Sequence, residues 1–232
     1  MKTVYYSFDI ISGQDTWIKP KFPDDFYTDI IPYDEDTSYE HTDCPAWLEW
    51  KKNLWVVKQP FDLSVHFDSI LRELSTNIDQ DRFDQYFYLS HGWRDAELPV
   101  IQLQWAGLFW TDDRDVWVEQ VSNPILSRKG FELIPASFPV SVWLRPVVSA
   151  MRILDFDKDL SINKGDDLYH LRFRTNNPKE RIVLKKAVPT EKIIDRMRRD
   201  CEVKLWQKNY SWKLINQRLG NQSKCPFSKL FK

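Results

Sequence analysis

The sequence predicts a mainly β protein, a jelly roll or distorted β-sandwich that carries a C-terminal helical extension. Between residues 54 and 184 apolar residues come in short runs or alternate with polar ones, the rhythm of buried and half-buried strands. Clusters of Asp, Asn, Ser, Gly and Pro separate these runs, as in sandwiches and barrels. After residue 190 the apolar spacing changes to that of a helix.

Taken in order, residues 2–8 alternate as a first strand. Residues 12–43 are rich in Asp, Pro, Tyr and Ser and read as a long irregular acidic segment, anchored by Trp17, Phe22, Phe26, Tyr27 and Tyr33. A short helix is expected next, with Asp43 as its N-cap and Pro45 in its first turn. Strands are expected at 54–57, 63–67, 83–88, 100–105, 116–121, 140–145, 150–156, 168–173 and 181–184, with one helical turn around 70–74. Glu191 opens a helix behind Pro189 and Thr190. Ile193, Ile194, Met197, Cys201, Leu205, Tyr210 and Ile215 then fall on roughly one face. Asn209-Tyr210-Ser211 marks a break into two helices, and Gly220 is the expected end. The division that follows is a β-rich domain over 1–187 and a basic helical extension over 188–232 packed on it.

Composition narrows the function classes. The 232 residues hold 33 Lys/Arg and 34 Asp/Glu, 29% charged in all, and no apolar stretch long enough to span a bilayer. No signal-peptide core opens the sequence, and Cys44, Cys201 and Cys225 form neither a zinc motif nor an even disulfide framework. A cytoplasmic protein without a membrane partner is expected. The charge is uneven. Residues 175–232 carry 15 Lys/Arg against 5 Asp/Glu, and the remainder carries 18 against 29. Arg196, Arg198, Arg199, Lys204 and Lys208 make a basic patch on the predicted helix, the feature on which nucleic-acid binding would rest.

No P-loop, dinucleotide fingerprint or G-x-S-x-G elbow occurs. The one catalytic pattern is His41-Thr42-Asp43, an H-x-D pair. With a distal His91 or His170 it would form the two-His, one-carboxylate triad of Fe(II)/2-oxoglutarate-type oxygenases, with Arg172 or Arg174 for the co-substrate carboxylate. The alternative is a loop whose Asp43 caps a helix, in which case no cofactor is expected. Of the 11 tryptophans, Trp105, Trp117 and Trp143 lie in apolar runs and are expected in the core. Trp47, Trp93 and Trp110 sit near turns, where they could stack on a ligand.

Ser90-His91-Gly92, Gly107-Leu108-Phe109-Trp110-Thr111, Asn123-Pro124, Gly130-Phe131, the run from Phe138-Pro139 to Trp143 and Asn163-Lys164-Gly165-Asp166 occur in an order and spacing of their own. Over residues 44–173 this resembles an uncharacterised family of domains of unknown function in bacteria and tailed phages, including cyanobacterial phages. Asp167 departs from that family's usual proline. The resemblance implies a β fold and a phage or bacterial origin, without a reaction. The polar and aromatic turn residues that carry it, His91, Trp110, Asn123, Lys164 and Asp166, are the candidate binding residues. The expected function is a non-catalytic phage-associated or bacterial binding or structural module, with a protein partner, self-association or an acidic polymer as its target. The oxygenase and the nucleic-acid binder are the alternatives.

Overall fold

The computed structural model describes residues 1–8, 30–33, 44–71, 73–90, 99–206 and 210–223. In chain order the elements are β1 (Lys2–Ser7), β2 (Ile30–Pro32), α1 (Pro45–Lys51), β3 (Leu54–Lys58), β4 (Leu63–Asp68), β5 (Glu73–Thr76), α2 (Gln80–Tyr86) and β6 (Phe87–Ser90). There follow β7 (Val100–Trp110), β8 (Trp117–Val121), α3 (Pro124–Arg128), β9 (Phe131–Leu133), β10 (Ala136–Phe138), β11 (Pro146–Ile153), β12 (Asp159–Ile162) and β13 (Asp167–Arg174). The chain ends in β14 (Ile182–Lys186), α4 (Glu191–Trp206) and α5 (Tyr210–Ser223). No described helix is long and apolar enough to cross a membrane.

These strands make a distorted β-sandwich, as the alternation predicts. One sheet runs β14-β1-β7-β11-β9, with β6 also paired to β7; the facing sheet runs β10-β8-β13-β3-β2. A third, small sheet, β12-β4-β5, closes one side. Where a strand has one face on the core, its burial alternates: β4 and β8 show this along their whole length. Phe109 of the first sheet meets Phe173 of the second edge to face at 5.4 Å, and Phe131, Leu103, Met151 and Leu171 fill the space around them. A buried polar bridge joins the two sheets, where Gln120 Nε2 donates to Ser149 Oγ at 2.6 Å. Ser149 also hydrogen-bonds Tyr169, whose phenol is pushed up to about 12 by burial.

Several expectations need correction. The 12–43 segment is not wholly irregular: Ile30–Pro32 is an edge strand on β3, and Ile30 enters the core. Cys44, not Asp43, occupies the N-cap of α1, and Asp43 lies outside the described residues. The helical turn expected near 70–74 is a hydrogen-bonded turn that leads into β5. The strand expected at 83–88 is mostly helix α2, because Phe83 and Phe87 stack at 5.1 Å with helical i,i+4 spacing and Phe83 N donates to Asp79 O. β7 outruns its expected end by five residues and passes through Gly107, where a Cβ would lie 2.6 Å from the Phe109 ring.

The expected strand at 140–145 is a turn. The backbone N–H groups of Val142 and Trp143 both donate to Pro139 O, and that of Leu144 donates to Asp200 Oδ2 at 2.8 Å, so neither Trp143 nor Leu144 offers its donor to a sheet. The tryptophans also differ from expectation. Trp117 and Trp143 are half-buried, with the guanidinium groups of Arg174 and Arg145 over their rings, and Trp55 is the fully buried one among the described tryptophans. The side chain of Trp105 lies outside the described set. Gly220 sits inside α5, which continues to Ser223.

In α4 the apolar residues pack on the face that the helical spacing predicts, and Ile215 of α5 is buried; the side chains of Leu205 and Tyr210 lie outside the described set. Met197 is buried with Leu108 and Leu144, and Ile193, Ile194, Cys201 and Trp110 pack around that group. Asp200, 1% exposed, fastens α4 to the 139–145 turn. Its carboxylate accepts from Leu144 N and from Arg218 Nη1 at 2.7 Å. Arg218 Nη1 also donates to Val142 O, and Arg196 Nη2 donates to Ser141 O.

Candidate functional site

Asn123 sits at the end of β8 and caps α3. Its Oδ1 accepts from Ile125 N at 2.9 Å, Pro124 takes the first helical position, and its Nδ2 donates to Asp167 O at 2.7 Å. That last bond ties α3 to the start of β13. The β12–β13 connection is a tight turn over 163–166, in which Asp166 N donates to Asn163 O and Gly165 takes φ +86, a value that favours glycine. Gln59 clasps the turn from the β3 side: its N–H donates to Asp166 O and its carbonyl accepts from Gly165 N. Asp62 Oδ1 accepts from Lys164 N at 2.7 Å.

Between α3 and this turn lies a pocket of about 220 Å³, lined by Ile125, Leu126, Ile162, Lys129, Gly165, Asp166 and Asp167. Leu126 and Ile162 are buried and form its floor; Ile125 is 54% exposed at its mouth. The rim is built of ion pairs, Lys129 with Asp166 and Lys58 with Asp167. The hydrogen bond from Lys129, with one from Asn163 N, holds the Asp166 carboxyl below its ordinary range. An apolar floor with a charged rim suits a single side chain of a larger ligand. The volume is small beside the usual few hundred Å³ or more of a small-molecule site.

The structure thus brings three of the five expected binding residues together: Asn123 builds the pocket from behind, Asp166 lines it, and Lys164 projects exposed from the same turn. Trp110 belongs elsewhere. It stacks on Tyr5 at 5.9 Å and packs with the group around Met197, where it supports the C-terminal helices. His91 lies outside the described residues. A comparison with protein-family models finds no match, and one with curated proteins finds none either.

Of the residues named for the iron reading, His41 and Asp43 lie outside the described residues. His170 lies in mid-strand on β13 between Val56 and Val121, with the Tyr33 ring edge-on at 5.1 Å and the stacked pair Trp47–Trp50 beyond it. Burial holds its imidazole below the ordinary pKa. Among the described residues no three His, Cys, Asp or Glu side chains gather as a metal-binding group. In the expected basic patch, Arg196 turns toward Ser141 and Asp200, Arg198 bonds Asp195, and Arg199 is exposed. The side chain of Lys204, and Lys208 as a whole, lie outside the described set.

Ile125, Leu126, Lys129 and Ile162 carry no site signal of their own in the sequence. The Asn123-Pro124 pair was the available signal: an N-cap followed by proline starts a helix, and that helix presents Ile125 and Lys129 to one side of the site.

Proposed function

We propose that this protein is a non-catalytic binding or structural module of a bacterium or tailed phage, acting in the host cytoplasm or the virion, whose partner is a protein or an acidic polymer. The pocket between α3 and the β12–β13 turn carries the reading. Its floor accepts an aliphatic or small aromatic group, and Lys58, Lys129 and exposed Lys164 favour carboxylates or other anions beside that group. Lys58, Lys129, Asp166 and Asp167 are held in ion pairs, an arrangement suited to orienting a ligand.

A displayed peptide library tests this. The wild-type protein is expected to enrich sequences that join an aliphatic residue to neighbouring Asp or Glu, and Ile125→Arg at the exposed mouth is expected to lose them. Failure to enrich any peptide, or equal retention by wild type and Ile125→Arg, would overturn the reading.

A further inference from the structure

The β4–β5 connection at the far end of the small sheet presents Ser69-Ile70-Leu71 to solvent, with Ile70 89% and Leu71 64% exposed. Residues 69–71 are nonetheless firmly held. Asp68 Oδ1 accepts from the backbone N–H groups of both Ile70 (2.8 Å) and Leu71 (2.7 Å). Asp157 takes Ser69 N at 2.9 Å and Ser69 Oγ at 2.7 Å on its two oxygens, from a backbone at φ +57 whose N–H donates to Phe67 O. Two large aliphatic side chains held out on a backbone already fixed by these bonds bind at low entropic cost, because those residues need not be ordered on contact. Among the described residues their flanks carry an acidic excess: Asp68, paired in register with Glu73, then Asp157 and Asp159, with Lys158 between them paired to Asp155.

We infer that the α3 pocket of one copy receives this Ile70–Leu71 tip of a second copy of the chain. The inference rests on the pocket being a binding site, and it adds the occupant. Size agrees, since a dry cavity of about 150 Å³ takes up benzene and this pocket measures about 220 Å³. Charge agrees in sign, since a tip with an acidic excess on its flanks meets a rim on which Lys58, Lys129 and Lys164 outnumber Asp166 and Asp167. Placement decides between partners within and between molecules. In the β4–β12 ladder Leu63 pairs with Ile162 at the pocket end, and His66 pairs with Asp159 toward the tip. Five residues of extended chain from Leu63 to Asp68 separate the two ends by about 17 Å. The tip therefore points away from its own pocket, and the contact is head-to-tail between copies, a heterologous geometry that leads to chains or rings.

Sedimentation velocity of the full chain, from micromolar to millimolar concentration, tests it with two variants. Ile70→Ser combined with Leu71→Ser removes the tip, and Ile125→Arg blocks the pocket. All three positions are exposed, and far-ultraviolet circular dichroism checks that the fold is kept. Wild type is expected to sediment faster as concentration rises, less so in high salt. Each variant alone is expected to stay monomeric. Their equimolar mixture is expected to stop at a dimer, because it holds one intact tip and one intact pocket per pair. A wild type that remains monomeric throughout, a tip variant that associates like wild type, or a mixture without dimer would each overturn the inference. If peptides still bind in an Ile125-dependent way while the wild type is monomeric, only the self-association fails. If neither occurs, the binding reading fails with it.

Discussion

Two carboxylate sites in this molecule use similar groups to opposite ends. At the 139–145 turn, Asp200 is withdrawn from water and accepts from a backbone N–H and an arginine, while that arginine and Arg196 reach on to the carbonyls of Val142 and Ser141. At the α3 pocket, Asp166 and Asp167 pair with lysines whose side chains keep about a third of their surface in water. The guanidinium is planar and donates in several fixed directions, so it can hold a carboxylate and a carbonyl together. The ammonium is a point charge on a flexible stem, easily exchanged for another anion. Burial makes the first site a lock. Solvent and lysine make the second a rim that a partner can rearrange.

The largest effect expected from this contrast is at the lock. Asp200→Ala leaves the buried Leu144 N–H without its acceptor and Arg218, which keeps about a third of its surface in water, without its counter-charge, and is expected to cost about 1–3 kcal/mol. Urea denaturation is expected to show that loss. Native-state hydrogen exchange should show it first in α4 and α5, which lie over the turn. A change below about 1 kcal/mol, the range of exposed ion pairs, would erase the distinction between the two sites.

Asn123→Ala tests the frame of the pocket rather than its rim. The substitution removes the α3 cap and the donor to Asp167 O. Together these are expected to lower stability by about 1–2 kcal/mol in the same denaturation experiment. An unchanged midpoint would mean that α3 is held by its apolar contacts alone.

How far these sites were legible in the sequence follows from how local their causes are. β4 and β8 could be read directly, because each covers a core with alternate residues and the period shows along the chain. The 83–88 and 140–145 segments have equally apolar texture. What decides them is a ring stack one helical turn apart in the first, and in the second the capture of a backbone N–H by Asp200 from a helix more than fifty residues away. Asn123, Lys164 and Asp166 could be found because turns concentrate Asn, Asp and Gly. That they surround one pocket depends on strand pairing, which no local pattern displays. Asp200 was invisible: between Arg199 and Cys201 it reads as one more charged residue of a solvated helix. Trp143 misled for the converse reason, since its apolar neighbours place it in a strand while the fold spends its indole N–H on Asp200 O.

The smallest effect is expected at the rim, and its pH dependence identifies it. In Asp166→Asn the Lys129 pair is lost, while the amide oxygen can still accept from Asn163 N, so stability at neutral pH should fall by no more than about 0.5–1 kcal/mol. Asp166 has a pKa below its ordinary value in the folded protein, so the unfolded chain takes up its proton first as pH falls. The contribution of the carboxylate is therefore complete above the unfolded carboxyl range, near pH 4, and disappears as the solution is acidified through the folded value. The stability difference between wild type and Asp166→Asn should accordingly be constant from pH 7 down to about 5 and shrink as the pH falls through and below the unfolded carboxyl range. A difference that grew on acidification would show that Asp166 opposes the fold, and that the lysine at this rim is not its partner in solution.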